Sequence, residues 1–283
     1  MDPPAGARGA RGRSLNDLRP KLPAHATESI ARFLRSQVRE ADARGVVVGL
    51  SGGIDSALAA RLCADALGPK AVTGVLLPDS AHPVPLLEET RRYAAELGIA
   101  IVVHPIEELE RSFDTRLSLG EDRVARGNIK ARIRMTLLYA EARRREALVV
   151  GTGNKSEILT GYFTKYGDGG ADLLPLGDLY KTEVRELATQ LGLPAAIRER
   201  APTAGLWPGQ TDEEELGLPY ELLDRILRGF EELRDEDEIV RLTGADRGIV
   251  AAVARRIARH RHKRRLPPIP KLSLRTVGLD WRD

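Results

Sequence analysis

A glycine-rich segment around residue 50 has the composition of an anion-binding loop. In order, it contains Gly49, Leu50, Ser51, Gly52, Gly53, Ile54, Asp55 and Ser56. Two adjacent glycines let the backbone turn tightly and bring its N–H groups close to an anion. The two serine hydroxyls supply further hydrogen-bond donors. The sequence therefore predicts that this segment binds phosphate groups.

Asp55 stands out in this loop because its carboxylate would repel a bare phosphate. A divalent cation between the two groups removes that repulsion, and Mg²⁺ prefers oxygen ligands such as carboxylates. The chain contains no Gly-Lys-Ser or Gly-Lys-Thr sequence, so this is not the lysine-containing nucleotide loop. We therefore expect phosphates and Mg²⁺ to bind here together.

The segments on either side of the loop have the patterns of a buried strand and a helix. Residues 46–50 are apolar and β-prone, and residues 57–67 have a helical pattern that ends before Gly68 and Pro69. The sequence predicts further strands at residues 72–77, 99–103 and 147–150, and further helices at residues 27–44, 86–97 and 123–145. This alternation predicts an α/β fold, with a doubly wound parallel sheet flanked by helices. The loop would then lie at a helix N-terminus, which favours an anion.

Length and composition predict one folded domain with a short tail. Residues 1–20 are rich in Gly, Pro, Ala and Arg without periodicity, and we predict a flexible tail there. Residues 21–283 are predicted to form a single domain. Two stretches within it, residues 161–175 and 201–217, have no periodic pattern, and long irregular loops in compact domains are often functional.

Several protein classes are disfavoured by the composition. The sequence has no run of eighteen apolar residues and no apolar signal segment, which predicts a cytoplasmic protein without a membrane span. Its single cysteine, Cys63, supports neither an intramolecular disulfide nor a multi-thiolate metal site. Five basic and two acidic residues fall within residues 1–21. Removing them from the 44 basic and 41 acidic residues of the chain leaves 39 of each, so no nucleic-acid partner is expected.

The complete string from Ser51 to Ser56, between a strand and a helix, resembles the pyrophosphate loop of the ATP-pyrophosphatase superfamily. The resemblance implies a Rossmann-like fold of the ATP-pyrophosphatase type. Members cleave ATP between its α and β phosphates, adenylate a substrate oxygen and release pyrophosphate. They include synthetases of NAD, GMP, asparagine and argininosuccinate, and tRNA-modifying enzymes. The loop alone does not choose among these.

Motifs in the second half of the chain resemble those of the NAD synthetase family. They are GNIKARIRM at 127–135, GTGNKSE at 151–157, TGYFTKYGDGGAD at 160–172, PTA at 202–204 and QTDE at 210–213. The resemblance extends from about residue 27 to the C-terminus. It implies amidation of nicotinate adenine dinucleotide (deamido-NAD) to NAD, driven by ATP through an NAD-adenylate, with release of AMP and pyrophosphate.

The same resemblance implies roles for individual residues. Residues 49–56 would hold the ATP phosphates, and three further residues would contact ATP, namely Thr152, Lys181 and Thr203. Two carboxylates would hold Mg²⁺, those of Asp55 and Glu157. Contacts to deamido-NAD are implied for Arg132, Lys165 and Asp172, and for the C-terminal pair His262 and Lys263. That pair matches one that reaches the dinucleotide bound mainly by a neighbouring subunit, which implies a homodimer with shared sites. No catalytic proton acceptor is identified.

The expected nitrogen source depends on whether the chain resembles an ammonia-releasing domain, and it does not. Many NAD synthetases carry a nitrilase-type amidase domain that releases ammonia from glutamine through a cysteine nucleophile. The phosphate loop begins only about fifty residues into this chain, and Cys63 belongs to the synthetase part. We therefore expect the enzyme to use free ammonia. A separate glutaminase partner is left open.

Other interpretations stay open at this point. A tRNA-modifying ATP-pyrophosphatase would also explain the loop, although the near-neutral body of the chain and its lack of cysteine pairs argue against it. A nucleotide sensor without turnover would not need the acidic pair Asp55 and Glu157. Taken alone, Arg132 and Lys181 are also compatible with ordinary surface positions. His262 and Lys263 lie in a basic run that would suit a solvated helix end.

Overall fold

The computed structural model describes residues 18–207 and 209–277. Most of the predicted tail, residues 1–17, lies outside the described residues, as do Pro208 and residues 278–283. Leu18, near the end of the predicted tail, is buried, and its Cδ1 atom would lie 3.3 Å from a β-carbon placed on Gly229. The chain therefore already packs against the C-terminal helices before residue 21.

The centre of the molecule is a four-stranded parallel sheet. Its strands are β1 (Gly45–Gly49), β2 (Val72–Leu76), β3 (Ala100–Val103) and β4 (Ala147–Val150), in the order β3-β2-β1-β4. All three neighbouring pairs are parallel. Strand boundaries lie within one residue of those predicted, and the predicted parallel sheet is confirmed.

Twelve α-helices surround and extend this sheet within the described residues. They are α1 (Ala26–Glu40), α2 (Ile54–Leu67), α3 (Val84–Glu96), α4 (Glu107–Leu117), α5 (Arg123–Arg145), α6 (Lys155–Thr160), α7 (Lys181–Gln190), α8 (Ala195–Arg198), α9 (Asp212–Leu216), α10 (Tyr220–Glu231), α11 (Glu236–Thr243) and α12 (Arg247–Arg259). Short 3-10 turns lie at Pro69–Ala71 and Arg261–Lys263.

Alternate residues of β1 face opposite sides of the sheet, which explains the two helical layers. Val46 and Val48 belong to a core that includes α1, α2 and α7, whereas Val47 belongs to a core with α5. Because both faces are covered, the strand has no polar position to expose. A third core lies among α10, α11 and α12, around the buried side chain of Tyr220.

Three local predictions differ from the structure. The helix predicted at residues 27–44 ends at Glu40, four residues early. Helix α2 begins at Ile54, three residues before the predicted start, because Gly53 is extended and acts as its N-cap. The predicted irregular stretch at residues 201–217 contains the short helix α9, whose first turn is acidic. Acidic residues at a helix N-terminus are favoured by the helix dipole. Within the described part of the chain, no helix is both long and apolar enough to cross a membrane.

The strand order places a crevice next to β1. The chain runs outward from β1 to β2 and β3, and then returns to the opposite side of β1 as β4. Loops that follow β1 and β4 therefore diverge at the carboxyl end of the sheet. In open α/β sheets, ligands bind at such a switch point. The loop at residues 49–56 follows β1, and the segment from Gly151 to Asn154 follows β4.

Candidate active site

The loop after β1 is a tight turn whose shape depends on its glycines and serines. Gly52 has a φ of +80°, and a β-carbon there would lie 2.4 Å from Leu86 Cδ1. The hydroxyl of Ser56 donates to the Gly53 carbonyl at 3.0 Å and accepts from the Ser51 N–H at 3.2 Å. These bonds close the turn and bring the two serine hydroxyls to 3.1 Å from each other.

The start of α2 leaves backbone donors available to an anion. The first N–H groups of any helix have no partner within the helix, and Gly53 at the N-cap has no side chain that accepts from them. Leu50 and Ile54 are buried in the core, so these two predicted ATP contacts would be made by backbone rather than by side chains. The loop thus has the geometry of an anion site at a helix N-terminus.

A buried lysine connects the two carboxylates predicted to hold Mg²⁺. The Lys181 ammonium pairs closely with Asp55 Oδ2 and lies 3.6 Å from Glu157 Oε1. The lysine side chain is only 2% exposed, which rules out the alternative of an ordinary surface lysine. Asp55 is at the start of α2, Glu157 is in α6 and Lys181 opens α7, so three separate elements converge here.

Asn154 forms a second connection between the same carboxylates. Its amide nitrogen Nδ2 donates to Asp55 Oδ1 at 3.0 Å. It is also the N-cap of α6 in a capping box: its Oδ1 accepts from the Glu157 N–H, and Glu157 Oε2 accepts from the Asn154 N–H, each at 3.1 Å. Asn154 had no predicted role, although an asparagine three residues before a glutamate is a recognisable capping pattern.

Charge and burial shift the pKa values of this group in a consistent way. Burial and the neighbouring Asp55 carboxylate raise the pKa of Glu157 to about 8. Burial by itself would lower the pKa of Lys181, but the carboxylates of Asp55 and Glu157 outweigh it and raise that pKa. The lysine is therefore a permanent cation, and the pair of carboxylates attracts further positive charge.

The arrangement fits Mg²⁺ held partly by substrate. Asp55 and Glu157 both point an oxygen at one cationic atom, Lys181 Nζ, so a cation can lie between them. Among the described residues, no three His, Cys, Asp or Glu side chains form a metal-binding group. Mg²⁺ commonly binds one or two carboxylates and takes its remaining ligands from phosphates and water. The two carboxylates beside the phosphate loop match that pattern.

A buried network fixes the helices that carry these groups. The carboxylate of Asp224, on α10, accepts from the Ser156 hydroxyl at 2.5 Å and from the Thr182 N–H at 2.8 Å. The Ser156 hydroxyl in turn accepts from the Lys181 N–H at 3.0 Å. Because one carboxylate connects the starts of α6 and α7, the spacing between Glu157 and Lys181 is held by protein contacts alone.

The two predicted threonine contacts lie in two different loops. Thr152 is half-buried in the segment between β4 and α6, two residues before Asn154. Thr203 is exposed, and its hydroxyl accepts from the Gly205 N–H at 3.1 Å. The structure therefore places Thr152 at the switch point, whereas the side chain of Thr203 makes only a local turn.

Residues predicted to contact the dinucleotide gather around the 161–175 loop. Arg132, on α5, donates to the Lys165 carbonyl at 3.3 Å, and Lys165 Nζ lies 5.1 Å from the centre of the Tyr166 ring. Asp172 accepts from the Val149 N–H at 2.8 Å and from the Tyr139 hydroxyl at 3.0 Å. Asp172 thus anchors the end of the loop to β4 and α5.

The two residues of the C-terminal pair, His262 and Lys263, differ in their contacts. Lys263 Nζ donates to the carbonyls of Gly161 and Phe163, at 2.7 and 2.6 Å, within its own chain. His262 is exposed. Lys263 therefore supports the loop that carries Lys165, and a role of the pair at a neighbouring subunit stays a prediction.

A further acidic residue near the lysine was missed by the sequence analysis. Asp212, at the start of α9, is buried, and its Oδ2 accepts from the Tyr220 hydroxyl at 3.2 Å. Lys181 Nζ lies 5.4 Å from the centre of the same Tyr220 ring. Burial raises the pKa of Asp212, while Lys181 acts in the opposite direction. Asp212 belongs to the QTDE motif at 210–213, and that motif was the only sign in the sequence that Asp212 could lie near the ATP site.

Comparisons with known proteins agree with this geometry. The family model described as NAD synthase matches residues 26–267. The NH(3)-dependent NAD(+) synthetase of Methanosarcina acetivorans is 47% identical over 250 residues, covering 87% of this chain and 98% of that protein. The solved structure of NMN synthetase from Francisella tularensis has a TM-score of 0.78 at 33% identity, covering 89% of this chain and 100% of that one. The NH3-dependent NAD synthetase from Campylobacter jejuni has a TM-score of 0.74 at 33% identity, covering 87% and 97%.

Proposed function

The chain belongs to the NAD synthase family, and from that premise we propose that it converts deamido-NAD to NAD with ATP and ammonia. The carboxylate of nicotinate is a poor acceptor for ammonia because its leaving group is poor. Adenylation converts that leaving group to AMP, with release of pyrophosphate, and ammonia then attacks the adenylate. The relatives named NH(3)-dependent NAD(+) synthetases support this reaction over the tRNA-modifying alternative.

One observation carries the proposal, the convergence of Asp55, Glu157 and Lys181 beside the phosphate loop. The backbone donors of the loop and of the start of α2 bind the ATP phosphates. Lys181 stabilises negative charge as it moves to the departing pyrophosphate. A nucleotide sensor that does not turn over ATP has no use for this arrangement.

We propose Mg²⁺ as the cofactor, with Asp55 and Glu157 as its protein ligands. Bound there, it would neutralise phosphate charge and stabilise the pyrophosphate that leaves. Asn154 keeps both carboxylates in place, since it donates to one and caps the helix of the other. Asp224, on α10, fixes the spacing of α6 and α7 through its hydrogen bonds to the first turn of each helix.

The dinucleotide is assigned to the region around the 161–175 loop. Arg132 and Lys165 supply positive charge for its phosphates, and Asp172 and Lys263 hold the loop at its two ends. We also propose a homodimer, in which His262 reaches the neighbouring site. Its support is a set of exposed apolar side chains on α4 and the first turn of α5, namely Leu109, Phe113, Leu117 and Val124. Since ATP and NAD precursors are metabolites of the cytoplasm, we place the reaction there.

One of the solved neighbours suggests a second acid substrate. A synthetase of NMN, as the Francisella tularensis protein is named, would amidate the nicotinate mononucleotide, which lacks the AMP half of deamido-NAD. The 47% identity to a named NAD(+) synthetase favours the dinucleotide for this chain.

Exchange of labelled pyrophosphate into ATP tests the first half-reaction and compares the two acids. Adenylation is reversible, so exchange requires the acid substrate but no ammonia. We expect exchange with deamido-NAD and Mg²⁺, weaker exchange with nicotinate mononucleotide, and none when both acids are omitted. Exchange without any acid substrate, or with the mononucleotide only, would refute the assignment of the dinucleotide.

A further inference from the structure

Arg200 contacts the backbone of the phosphate loop. It lies two residues beyond the end of α8, and one guanidinium nitrogen, Nη1, donates to the Gly52 carbonyl. The other, Nη2, donates to Glu89 Oε2 at 2.5 Å, and Glu89 is on α3. Gly52 and Glu89 are 148 and 111 residues from Arg200 in the sequence. The guanidinium thus joins the phosphate loop to α3 and to the segment after α8.

The peptide that Arg200 contacts is the most adaptable one in the loop. It lies between two glycines, Gly52 at a φ of +80° and Gly53 in an extended conformation. Glycines on both sides leave the peptide plane free to rotate, so the sequence alone does not fix which way its N–H points. A contact with the Gly52 carbonyl therefore helps to select one orientation.

Peptide planarity transmits the effect of Arg200 to a hydrogen-bond donor. In a trans peptide the carbonyl of one residue and the N–H of the next point in opposite directions. Holding the Gly52 carbonyl towards Arg200 therefore turns the Gly53 N–H to the other side, where Ser51 Oγ lies. That N–H donates to Ser51 Oγ at 3.3 Å, slightly longer than the usual range. It is still able to donate to a phosphate oxygen.

The ion pair of Arg200 and Glu89 is too enclosed to be an incidental surface contact. Their side chains are 27% and 21% exposed, and they line a small cavity together with Ser56, Thr90 and Tyr93. Within the described part of the chain, Glu89 Oε1 is buried and has no hydrogen-bond partner. The negative charge of Glu89 is therefore compensated by Arg200, and Glu89 in turn holds the Arg200 guanidinium in one position.

We infer that Arg200, oriented by Glu89, is a positioning residue that fixes the Gly52–Gly53 peptide with the Gly53 N–H towards the phosphates of ATP. The inference rests on the proposed function of the loop as the ATP site. Thr203 lies three residues further along in the same segment between α8 and α9, so the contact also ties the start of that segment to the phosphate loop.

Arg200→Met tests the inference through the affinity for phosphate. Loss of an oriented donor to a charged ligand should raise the KM for ATP about tenfold and weaken the binding of magnesium pyrophosphate by a similar factor. The KM for deamido-NAD should stay unchanged. Arg200→Lys should recover part of the affinity, because an ammonium still donates to the Gly52 carbonyl.

Matched variants separate positioning from simple stabilisation. Arg198→Met is the control for Arg200, since among the described residues Arg198 donates to the Leu193 carbonyl and the Thr189 hydroxyl and not to the phosphate loop. Glu88→Gln is the control for Glu89→Gln, since Glu88 is exposed and pairs with Arg91 at 3.8 Å. We expect Glu89→Gln to weaken pyrophosphate binding less than Arg200→Met does. Arg200→Met with Glu89→Gln should recover thermal stability without recovering pyrophosphate affinity.

The measurement that decides is the Kd of magnesium pyrophosphate by calorimetry, because it requires no turnover. An Arg200→Met protein that binds pyrophosphate as tightly as Arg198→Met would overturn the inference. So would an equal rise in the KM values for ATP and deamido-NAD, which indicates a general loss of structure. If Arg200→Met does not fold, the Arg200→Lys and double variants decide by the same Kd. Should the wild type bind pyrophosphate but not amidate deamido-NAD, the proposed function fails while the role of Arg200 is still measured.

Discussion

Asn154→Ala is the substitution whose effect the structure predicts in most detail. The change removes the N-cap of α6, which costs about 1 kcal/mol in typical proteins. It also removes the hydrogen bond from Nδ2 to Asp55 Oδ1, and a bond to a charged group contributes roughly 1.5–3 kcal/mol. Since Asn154 is fully buried, water does not replace either bond. We therefore expect the free energy of unfolding to fall by about 2.5–4 kcal/mol.

Asp235→Ala supplies the matched control for the cap alone. Asp235 is the N-cap of α11 and accepts from the Glu238 N–H at 2.7 Å, within the C-terminal helices. Its removal should cost about 1 kcal/mol and leave the KM for ATP unchanged. Asn154→Ala should in addition raise the KM for ATP, because Asp55 loses one of the two contacts that orient it.

Urea unfolding followed by circular dichroism, in the presence of a chelator, measures both free energies without a contribution from metal. The difference between the two variants isolates the bond to Asp55. If Asn154→Ala is destabilised no more than Asp235→Ala and keeps the wild-type KM for ATP, then Asn154 is only a helix cap and the reasoning is refuted.

Three further predictions follow from the same site and core. Glu157→Gln should abolish turnover but leave deamido-NAD binding, measured by calorimetry, unchanged. The exposed control Glu186→Gln should keep full activity. An active Glu157→Gln protein would exclude Glu157 as a metal ligand. The pKa of Glu157 is raised from 4.5 to about 8, so its proton stabilises the metal-free fold fully below pH 4.5, and the free energy of unfolding should fall as the pH rises towards 8. Glu157→Gln should flatten that fall, and an unchanged pH profile would contradict the shift. Burial raises the pKa of Cys63 to about 12, so iodoacetamide at pH 8 should alkylate only the unfolded protein, and rapid labelling of the native protein would show that the α2 core is open.

The sequence was sufficient to predict the sheet and the tight turn between β1 and α2. The strands are short apolar runs bounded by turn residues, and alternation with helices leaves few topologies for a parallel sheet. The order β3-β2-β1-β4 then places the loop at the switch point. The start of α2 was predicted three residues late, because periodicity does not show that Gly53 is already the cap.

Contacts between distant segments were beyond the reach of a single sequence. Asn154 was quoted within a motif, but its bond to Asp55 joins residues 99 positions apart. Arg200 belongs to none of the recognised motifs, and only the fold brings it to the Gly52 carbonyl. Asp212 was likewise recognised as part of a motif without its place beside Tyr220 and Lys181. Local pattern identifies groups that could act, whereas tertiary structure decides which of them meet.

Formation of NAD from deamido-NAD, ATP and Mg²⁺ is the most direct test of the central claim. The purified protein is supplied in parallel with ammonium chloride, with glutamine and with neither, and NAD, AMP and pyrophosphate are quantified. We predict NAD with ammonium chloride only, in a one-to-one ratio with AMP and pyrophosphate. Absence of NAD in all three reactions, or equal formation with glutamine, would contradict the assignment of this chain as an ammonia-dependent synthetase.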